Sequence, residues 1–164
     1  MKRIMELLIL GYIVLTGCTP PTSATAPQMI ETGADPEAWV AIPAGPFLQG
    51  QHEHEMTLDY DYEIMVTDVT NAQYARFLNE ALAVENVTLS TDAVLGYYPG
   101  DIFHGAHHEM EIPAGDWRFV PFNNPALRLD YDEGSFIAKA GYENHPMTMV
   151  SWFGAWGYCT FYDW

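Results

Sequence analysis

The stretch His145–Trp164 constrains the fold more than any other part of the sequence. Its first apolar run, Met147 to Val150, predicts a short strand, and Ser151 then supplies a side chain typical of a helix N-cap. An i, i+3, i+4, i+7 spacing places four residues on one helical face; they are Trp152, Ala155, Trp156 and Cys159. The sequence therefore predicts a strand that leads into an aromatic helix. Because no glycine or polar cap follows that helix, we expect a chain truncated at this point.

A second helix is predicted with more local support. Thr70 and Gln73 have the spacing of a capping box, in which each side chain satisfies a backbone N–H of the other residue. Apolar residues at helical spacing follow it: Tyr74, Phe77, Leu78, Ala81 and Leu82. We therefore expect an amphipathic helix that starts just after Thr70.

Strands are predicted on the N-terminal side of that helix. Trp39 to Ile42 is a short β-type run that Pro43 ends. In the stretch 59–66, Tyr60, Tyr62, Ile64 and Val66 alternate with Asp59, Asp61, Glu63 and Met65. A period of two predicts a strand with one buried face.

The stretch 86–146 is interrupted repeatedly by glycine and proline, which predicts short strands and long loops with low regular content. We expect Phe119, Phe122 and Phe136 to pack beneath those loops. No internal repeat is present. The pattern as a whole predicts an α+β fold.

The N-terminal residues have the features of an export signal. Lys2 and Arg3 precede an apolar run from Leu7 to Leu15, and Leu15-Thr16-Gly17-Cys18 fits a bacterial lipobox. The apolar run is shorter than the ~20 residues that a membrane span needs. We expect residues 1–17 to be a lipoprotein signal peptide and Cys18 to carry lipid, which would anchor the chain to the membrane. An uncleaved anchor is the alternative.

Residues 18–36 are rich in Pro, Thr, Ser and Ala, so we expect a flexible tether, with the folded domain in residues 37–164. This organisation places the protein in the bacterial cell envelope, facing outside the cytoplasm. The chain has 6 Lys and Arg against 22 Asp and Glu, a formal net charge of −16. That charge excludes nucleic acid as a partner, because binding it requires cations that neutralise phosphates.

Three motifs, in the same order along the chain, resemble those of the formylglycine-generating enzyme family, also called sulfatase-modifying factor domains. Ile42-Pro43-Ala44-Gly45 with Phe47 and Gly50 is similar to the family's IPAG-x-F-x-MG, with Gln49 in place of the methionine. Val69-Thr70-Asn71 with Tyr74 and Phe77 is similar to VTN-x-x-Y-x-x-F. The third motif resembles HPV-x-x-VSW-x-x-A-x-x-YC, carried here by His145, Pro146, Val150, Ser151, Trp152, Ala155, Tyr158 and Cys159.

The resemblance implies a C-type-lectin-related fold, incomplete at its C-terminus, and an oxidoreductase that converts a cysteine of a client sulfatase to formylglycine. The family's chemistry uses a pair of copper-binding cysteines, and some of its members also bind calcium. Those cysteines lie in a later part of the domain, so no catalytic, cofactor-binding or metal-binding residue is assigned here, and we expect this segment to be inactive alone. The family also contains non-catalytic members. The alternative is therefore an envelope lipoprotein module that binds a ligand on lectin-like loops.

Other clusters are weaker candidates. His52 and His54, and the group His104, His107, His108 and Glu109, contain metal-capable side chains but no complete ligand set, which favours exposed polar loops. Asp130, Asp132 and Glu133 before Gly134 suggest calcium, but their spacing does not fit an EF-hand and favours an acidic turn.

Two single features also have a structural interpretation. Cys159 lies on the predicted apolar face, which favours a buried structural cysteine over a nucleophile. In the family, a cysteine at this position can pair with one much later in the chain. Asn86-Val87-Thr88 is a glycosylation sequon, and a bacterial lipobox makes its use unexpected.

The lipobox leads to the first prediction. In a bacterial host, a clickable fatty acid should label the wild-type chain and the Cys159→Ala variant equally, because the acceptor is Cys18. Cys18→Ala should lose the label, measured by in-gel fluorescence. Equal labelling of Cys18→Ala and the wild type would show that the acceptor lies elsewhere.

Overall fold

The computed structural model describes residues 33–104 and 109–164, and it has the mixed α+β composition expected from the sequence. Two helices are separated by a run of short strands. In chain order the elements are β1 (Trp39–Ile42), β2 (Gly45–Gln49), β3 (His54–Leu58), β4 (Tyr62–Met65), α1 (Asn71–Ala83), β5 (Val87–Leu89), β6 (Ala93–Tyr98), β7 (Asp101–His104), β8 (Glu109–Ile112), β9 (Gly115–Pro121), β10 (Leu129–Asp132), β11 (Ser135–Ala138) and α2 (Trp152–Phe161).

Helix α1 forms as predicted. The Thr70 hydroxyl accepts from the backbone N–H of Gln73 at 3.2 Å, and the Gln73 side chain accepts from the N–H of Thr70 at 2.8 Å. The predicted apolar face is buried, with Phe77, Leu78 and Ala81 between 0% and 1% exposed. Burying the Phe77 and Leu78 side chains contributes about 1.5–3 kcal/mol each, so this face makes α1 a central element of the core.

The described strands form one three-stranded antiparallel sheet, in the order β5-β6-β9, and four separate antiparallel pairs. The pairs are β1 with β4, β2 with β3, β7 with β8, and β10 with β11. Helix α2 packs on β6 and β9, and α1 packs on β5 and β11, so the core lies between the helices and these strands. No helix in the described residues is long and apolar enough to cross a membrane.

The stretch after α1 is more regular than the sequence predicted, because strands β5 to β11 lie in its described part. Phe119 and Phe136, which were expected beneath loops, belong to strands β9 and β11 and are each 3% exposed in the core. Phe122 is half-buried and packs against the core from the loop after β9.

The prediction for the face that α2 buries was wrong. Trp152 is 58% exposed, and Ala155 and Cys159 are also exposed. The face toward the core instead consists of small and aromatic residues at the same helical spacing; they are Gly154, Gly157, Tyr158 and the half-buried Phe161. Because α2 is apolar on all sides, periodicity alone did not identify the buried face. The face with glycines is buried because only small residues allow α2 to approach β9 closely.

The segment before α2 and the C-terminal end of the helix also differ from the prediction. Met147 to Val150 is not a strand, and only an isolated bridge between Thr70 and Pro146 precedes the helix. Ser151 is the N-cap, as predicted, and its hydroxyl accepts from the N–H of Gly154 at 3.0 Å. A Schellman-type turn closes the helix, because Asp163 has φ 59° and the N–H of Trp164 donates to the carbonyl of Cys159 at 2.9 Å.

The alternation at 60–66 does produce strand β4, but its apolar face is not buried. Tyr62, Ile64 and Val66 are 38%, 50% and 52% exposed. Periodicity correctly predicted an extended backbone, but it did not show that, among the described elements, only β1 makes extensive contact with β4.

Phe119 sets the distance between α2 and the sheet. Its ring lies between Gly96 on β6 and Gly157 on α2, and a Cβ atom added to either glycine would overlap the ring. Neither glycine has a positive φ, so both are required for close approach and not for backbone conformation.

This packing generates the second prediction. In an open helix, Gly157→Ala would stabilise by about 0.5–1 kcal/mol. Here it should lower the free energy of unfolding by about 1–3 kcal/mol, because the methyl group overlaps Phe119. In a Phe119→Leu background the same substitution should become neutral or stabilising. Chemical denaturation of the single and double variants measures this coupling.

Ala155→Gly on the exposed side of α2 is the control. It should cost about 1 kcal/mol through helix propensity alone, with or without Phe119→Leu. A stabilising Gly157→Ala in the wild-type background would contradict the steric account.

Candidate functional site

Asn71 joins the start of α1 to the chain segment that leads into α2. Its backbone N–H donates to the carbonyl of His145 at 2.9 Å, and its side-chain Nδ2 donates to the carbonyls of Tyr142 at 2.8 Å and His145 at 3.0 Å. The N–H of Ala72 donates to the carbonyl of Glu143 at 3.0 Å. The segment 142–146 thereby satisfies first-turn donors that a helix leaves unpaired.

A cleft of about 890 Å³ lies beside this junction. It is mostly apolar, and its size falls within the range of ~300–1,000 Å³ typical of ligand sites. Its walls come from the segment before β1, from β4 and the chain after it, from the 144–146 segment, and from the end of α2. The lining residues are Ala34, Pro36, Trp39, residues 63–70, residues 144–146, Tyr158, Cys159 and Trp164.

Two of the three sequence motifs meet in this cleft. Val69 and Thr70 of the second motif lie beside His145 and Pro146 of the third, and Tyr158 and Cys159 complete the wall. The first motif does not reach it: Ala44 lies in the turn between β1 and β2, where its N–H donates to Asp61 Oδ1 at 2.7 Å.

Two polar atoms in the cleft walls have no partner among the described residues. They are the hydroxyls of Tyr158 and Thr67. Tyr158 is only 2% exposed, and burial together with the neighbouring Tyr162 raises the pKa of its phenol to about 12. Since the phenol keeps its proton at neutral pH, it can donate a hydrogen bond to a ligand that reaches it.

The charge of the cleft is acidic. Glu63 and Asp68 line it, and no lysine or arginine does. His145 is the single histidine among the described residues that line it. The cleft therefore favours neutral or cationic groups over anions.

The histidine clusters lie away from the cleft. His52 and His54 are exposed at the end of the β2–β3 hairpin, and their ring centroids lie 6.2 Å apart. His104 pairs in register with Glu109 at the end of the β7–β8 hairpin. His107 and His108 lie outside the described residues, so the second cluster stays a prediction.

The acidic residues lie in a hairpin, with Asp130 and Asp132 in strand β10 and Glu133 in the turn, which agrees with the preferred interpretation of an acidic turn between strands. Glu133 and Gly134 have φ 48° and 84°, which joins β10 directly to β11. Asp130 lies 3.6 Å from the ammonium of Lys139, which competes with a cation for its carboxylate. Asn86 of the sequon is exposed just after α1, while Val87 is buried in β5.

The prediction of a buried Cys159 was wrong. The residue is exposed at the wall of the cleft, because Gly157 and Tyr158 occupy the inward face of α2. Burial around the sulfur nevertheless raises the pKa of its thiol above the ordinary value. Cys159 is therefore accessible but is not activated as a nucleophile.

The residues described do not fit the metals that the resemblance implies. Copper(I) prefers soft thiolates, and Cys159 is the only thiol in the described part of the chain. Within those same residues, no group of three or more His, Cys, Asp or Glu side chains is arranged to hold a metal ion. Cys18 lies outside the described residues, and lipidation of that cysteine stays a prediction.

Sequence reasoning missed several residues of the cleft, among them Trp39, Thr67 and Trp164. Trp39 and Trp164 are far apart in the sequence, but their rings meet edge to face at 4.8 Å. The alternation in the 59–66 stretch predicted only a strand, and the structure shows that this strand leads into the cleft wall.

The position of Cys159 generates the third prediction. In a Cys18→Ala background, the rate of alkylation by iodoacetamide should rise with pH around a midpoint above that of the same cysteine in the denatured chain, because a raised pKa lowers the thiolate fraction at any given pH. Mass spectrometry of timed samples gives the rate. A midpoint equal to or below the denatured value would contradict the effect of burial.

Comparison with known proteins agrees with the motif analysis. The family model for the sulfatase-modifying factor enzyme 1-like domain matches residues 25–163. No curated protein and no solved structure matched the chain. The family match includes all three motifs and every described lining residue of the cleft except Trp164. The chain belongs to the sulfatase-modifying factor enzyme 1-like domain family.

Proposed function

We propose that this chain forms the scaffold part of a formylglycine-generating enzyme, which oxidises a cysteine of a client sulfatase to formylglycine. The observation that carries the proposal is the family match over residues 25–163, together with the meeting of two of its motifs at one cleft. The proposed architecture is the C-type-lectin-related fold of that family. The fold alone does not determine the activity, so the proposal depends on the site.

The role of the matched residues in this proposal is to hold the cleft open and correctly shaped. Thr70 and Asn71 fix one wall to the 142–146 segment through backbone and side-chain hydrogen bonds. Tyr74 extends this support, because its buried hydroxyl donates to the carbonyl of Gly154 in α2 at 3.0 Å. Burial raises the pKa of that phenol far above its ordinary value, so it acts as a fixed donor.

The copper-dependent step requires thiols that the described residues do not provide. Cys159 is the one thiol in the described residues, so it cannot form a two-cysteine copper centre there. The pKa of its thiol is raised by burial, so it also does not match an activated nucleophile. In the proposed enzyme, the copper-binding thiols come from polypeptide outside residues 1–164. No catalytic step is assigned to a residue of this chain.

The second candidate is a non-catalytic envelope module that binds a ligand. The shape and composition of the cleft favour it, because the cleft is apolar, contains Trp39 and Trp164, and has a buried donor at Tyr158. Both candidates share the proposed location: lipid on Cys18 would anchor the chain in the bacterial envelope, with the domain facing outside the cytoplasm.

Activity measurements separate the two candidates and form the fourth prediction. Incubation of the protein encoded by the complete gene with copper(I), oxygen and a CXPXR peptide should convert the peptide cysteine to the aldehyde, detected by mass spectrometry. Residues 19–164 alone should give no conversion, because a single thiol cannot form the two-thiolate site.

Two outcomes contradict the proposal in different ways. If residues 19–164 alone turn over the peptide, the assignment of the thiols to other polypeptide is wrong. If the complete protein gives no product although it is folded and loaded with copper, the oxidase is wrong and the binding module is favoured. A peptide with serine in place of the cysteine is the matched substrate control.

A further inference from the structure

The Gln73 side chain makes hydrogen bonds in two directions at the start of α1. Its Oε1 accepts from the backbone N–H of Thr70 at 2.8 Å, which is the capping-box bond. Its Nε2 donates to the carbonyl of Pro36 at 2.9 Å and to Glu37 Oε1 at 3.1 Å. A glutamate at this position would form the same capping box, but an ionised carboxylate has no N–H or O–H to donate. The bonds to residues 36 and 37 therefore require the amide.

Residues 35–38 form a turn before β1, and this turn is called the strap. Arg76, which lies almost one turn further along α1, donates to both carboxylate oxygens of Glu37 at 3.2 Å and 3.3 Å. The Gln73 amide and this ion pair together hold the strap against α1 and are called the latch. After the strap, β1 is held by its own ladder with β4. The latch and the ladder are therefore separate attachments.

The strap is attached to the domain mainly by polar contacts. None of its four residues is buried, so little apolar area holds it in place. A neutral hydrogen bond changes a closed-to-open ratio by about two- to ten-fold, and an exposed ion pair by at most about five-fold. The side chains of Arg76 and Glu37 are 49% and 52% exposed, so their ion pair is of this weak kind. The strap can therefore open locally while the core between the helices stays packed.

The strap and its latch lie beside Tyr158. Pro36 of the strap and Tyr158 line the same cleft, and the Tyr158 hydroxyl is buried without a partner among the described residues. Burial and Tyr162 raise the pKa of the Tyr158 phenol, Arg76 lowers it and Glu37 raises it, so both charges of the latch act on this group. The ring of Tyr162 meets that of Tyr158 edge to face at 5.3 Å. The position of the strap therefore bears on how exposed Tyr158 is.

We propose that the strap is a movable wall of the cleft, closed by Gln73 and Arg76, and that its opening exposes the side chain of Tyr158. Gln73 is a positioning residue in this arrangement, because it acts on the cleft only through the strap. A glutamate at position 73 would cap α1 and add a charge that stabilises a helix N-terminus. The strap gives a reason for glutamine instead. All the contacts involved lie within the described residues, so the closed state needs no partner.

Gln73→Glu tests the latch without removing the helix cap. The carboxylate keeps an acceptor for the N–H of Thr70, loses both donated hydrogen bonds and repels Glu37. In the protein encoded by the complete gene, hydroxyl-radical footprinting read by mass spectrometry should show about three-fold or more oxidation of Tyr158 relative to the wild type. Tyr74 is the internal control, because it is also 2% exposed but does not line the cleft. Its oxidation should not change.

Exchange of the two side chains provides a rescue. When Glu37→Gln is combined with Gln73→Glu, the new amide at residue 37 can donate to the carboxylate at residue 73, and the repulsion between two carboxylates is removed. Oxidation of Tyr158 should then return to within about two-fold of the wild-type level. Glu37→Gln alone leaves the Gln73 amide bonded to the carbonyl of Pro36, so it should give a smaller rise than Gln73→Glu.

Three outcomes of the footprinting overturn the proposal. Unchanged oxidation of Tyr158 in Gln73→Glu would mean that the latch does not control the strap, or that other polypeptide covers Tyr158. A parallel rise at Tyr74 would mean that the packing of α1 on α2 has loosened. A double variant as oxidised as Gln73→Glu would assign the effect of residue 73 to the helix itself. None of these measurements depends on oxidase turnover, so the strap and the proposed oxidase can fail separately.

Discussion

The buried amide of Asn71 is the interaction on which the rest of the structure depends. The side chain is 0% exposed and donates to carbonyls of the 142–146 segment, which is more than 70 residues away in sequence. The same segment accepts from the first-turn amides of α1 and forms the bridge between Thr70 and Pro146. Loss of the Asn71 side chain would leave the partly buried Tyr142 carbonyl unpaired, at about 1–3 kcal/mol. It would also weaken the link between the two walls of the cleft, so the same hydrogen bonds contribute to both stability and the shape of the site.

Helix α2 is positioned by two glycines, whose lack of a side chain lets the helix approach the sheet closely. Gly96 and Gly157 leave space for the ring of Phe119, and the close approach brings Tyr158 against Tyr74 and Phe77, with ring centroids 5.7 Å and 5.3 Å away. The larger aromatic residues of α2 are displaced outward, where Trp152 and Trp156 contact Tyr98. The position of Tyr158 in the cleft wall therefore follows from the packing of Phe119, and the exposure of Cys159 follows from the same rotation of the helix.

The hydrogen bonds of Asn71 and the packing of Phe119 both join residues that are far apart in sequence, and this explains how much of the fold and site was predictable. The capping box of α1, the Ser151 cap and the tight turn at Glu133 and Gly134 were predicted correctly because each depends on residues close in sequence. The buried face of α2 was not, since Phe119 and Gly96 decide it from a distance. The burial of β4 was also mispredicted, because alternation indicates an extended backbone but not whether another element covers it. For the same reason the motifs indicated Val69, His145 and Tyr158 of the cleft, while Trp39, Thr67 and Trp164 required the tertiary structure.

The cleft is a stronger candidate for function than the charged clusters because its features conflict with stability. An exposed histidine pair or an acidic hairpin costs a folded protein little, so neither requires an explanation beyond solvation. A tyrosine hydroxyl buried without a partner does cost free energy. Natural sequences keep such violations mainly at functional sites. Among the described residues, the Tyr158 and Thr67 hydroxyls are two buried polar groups without a partner, and both residues line this one cavity.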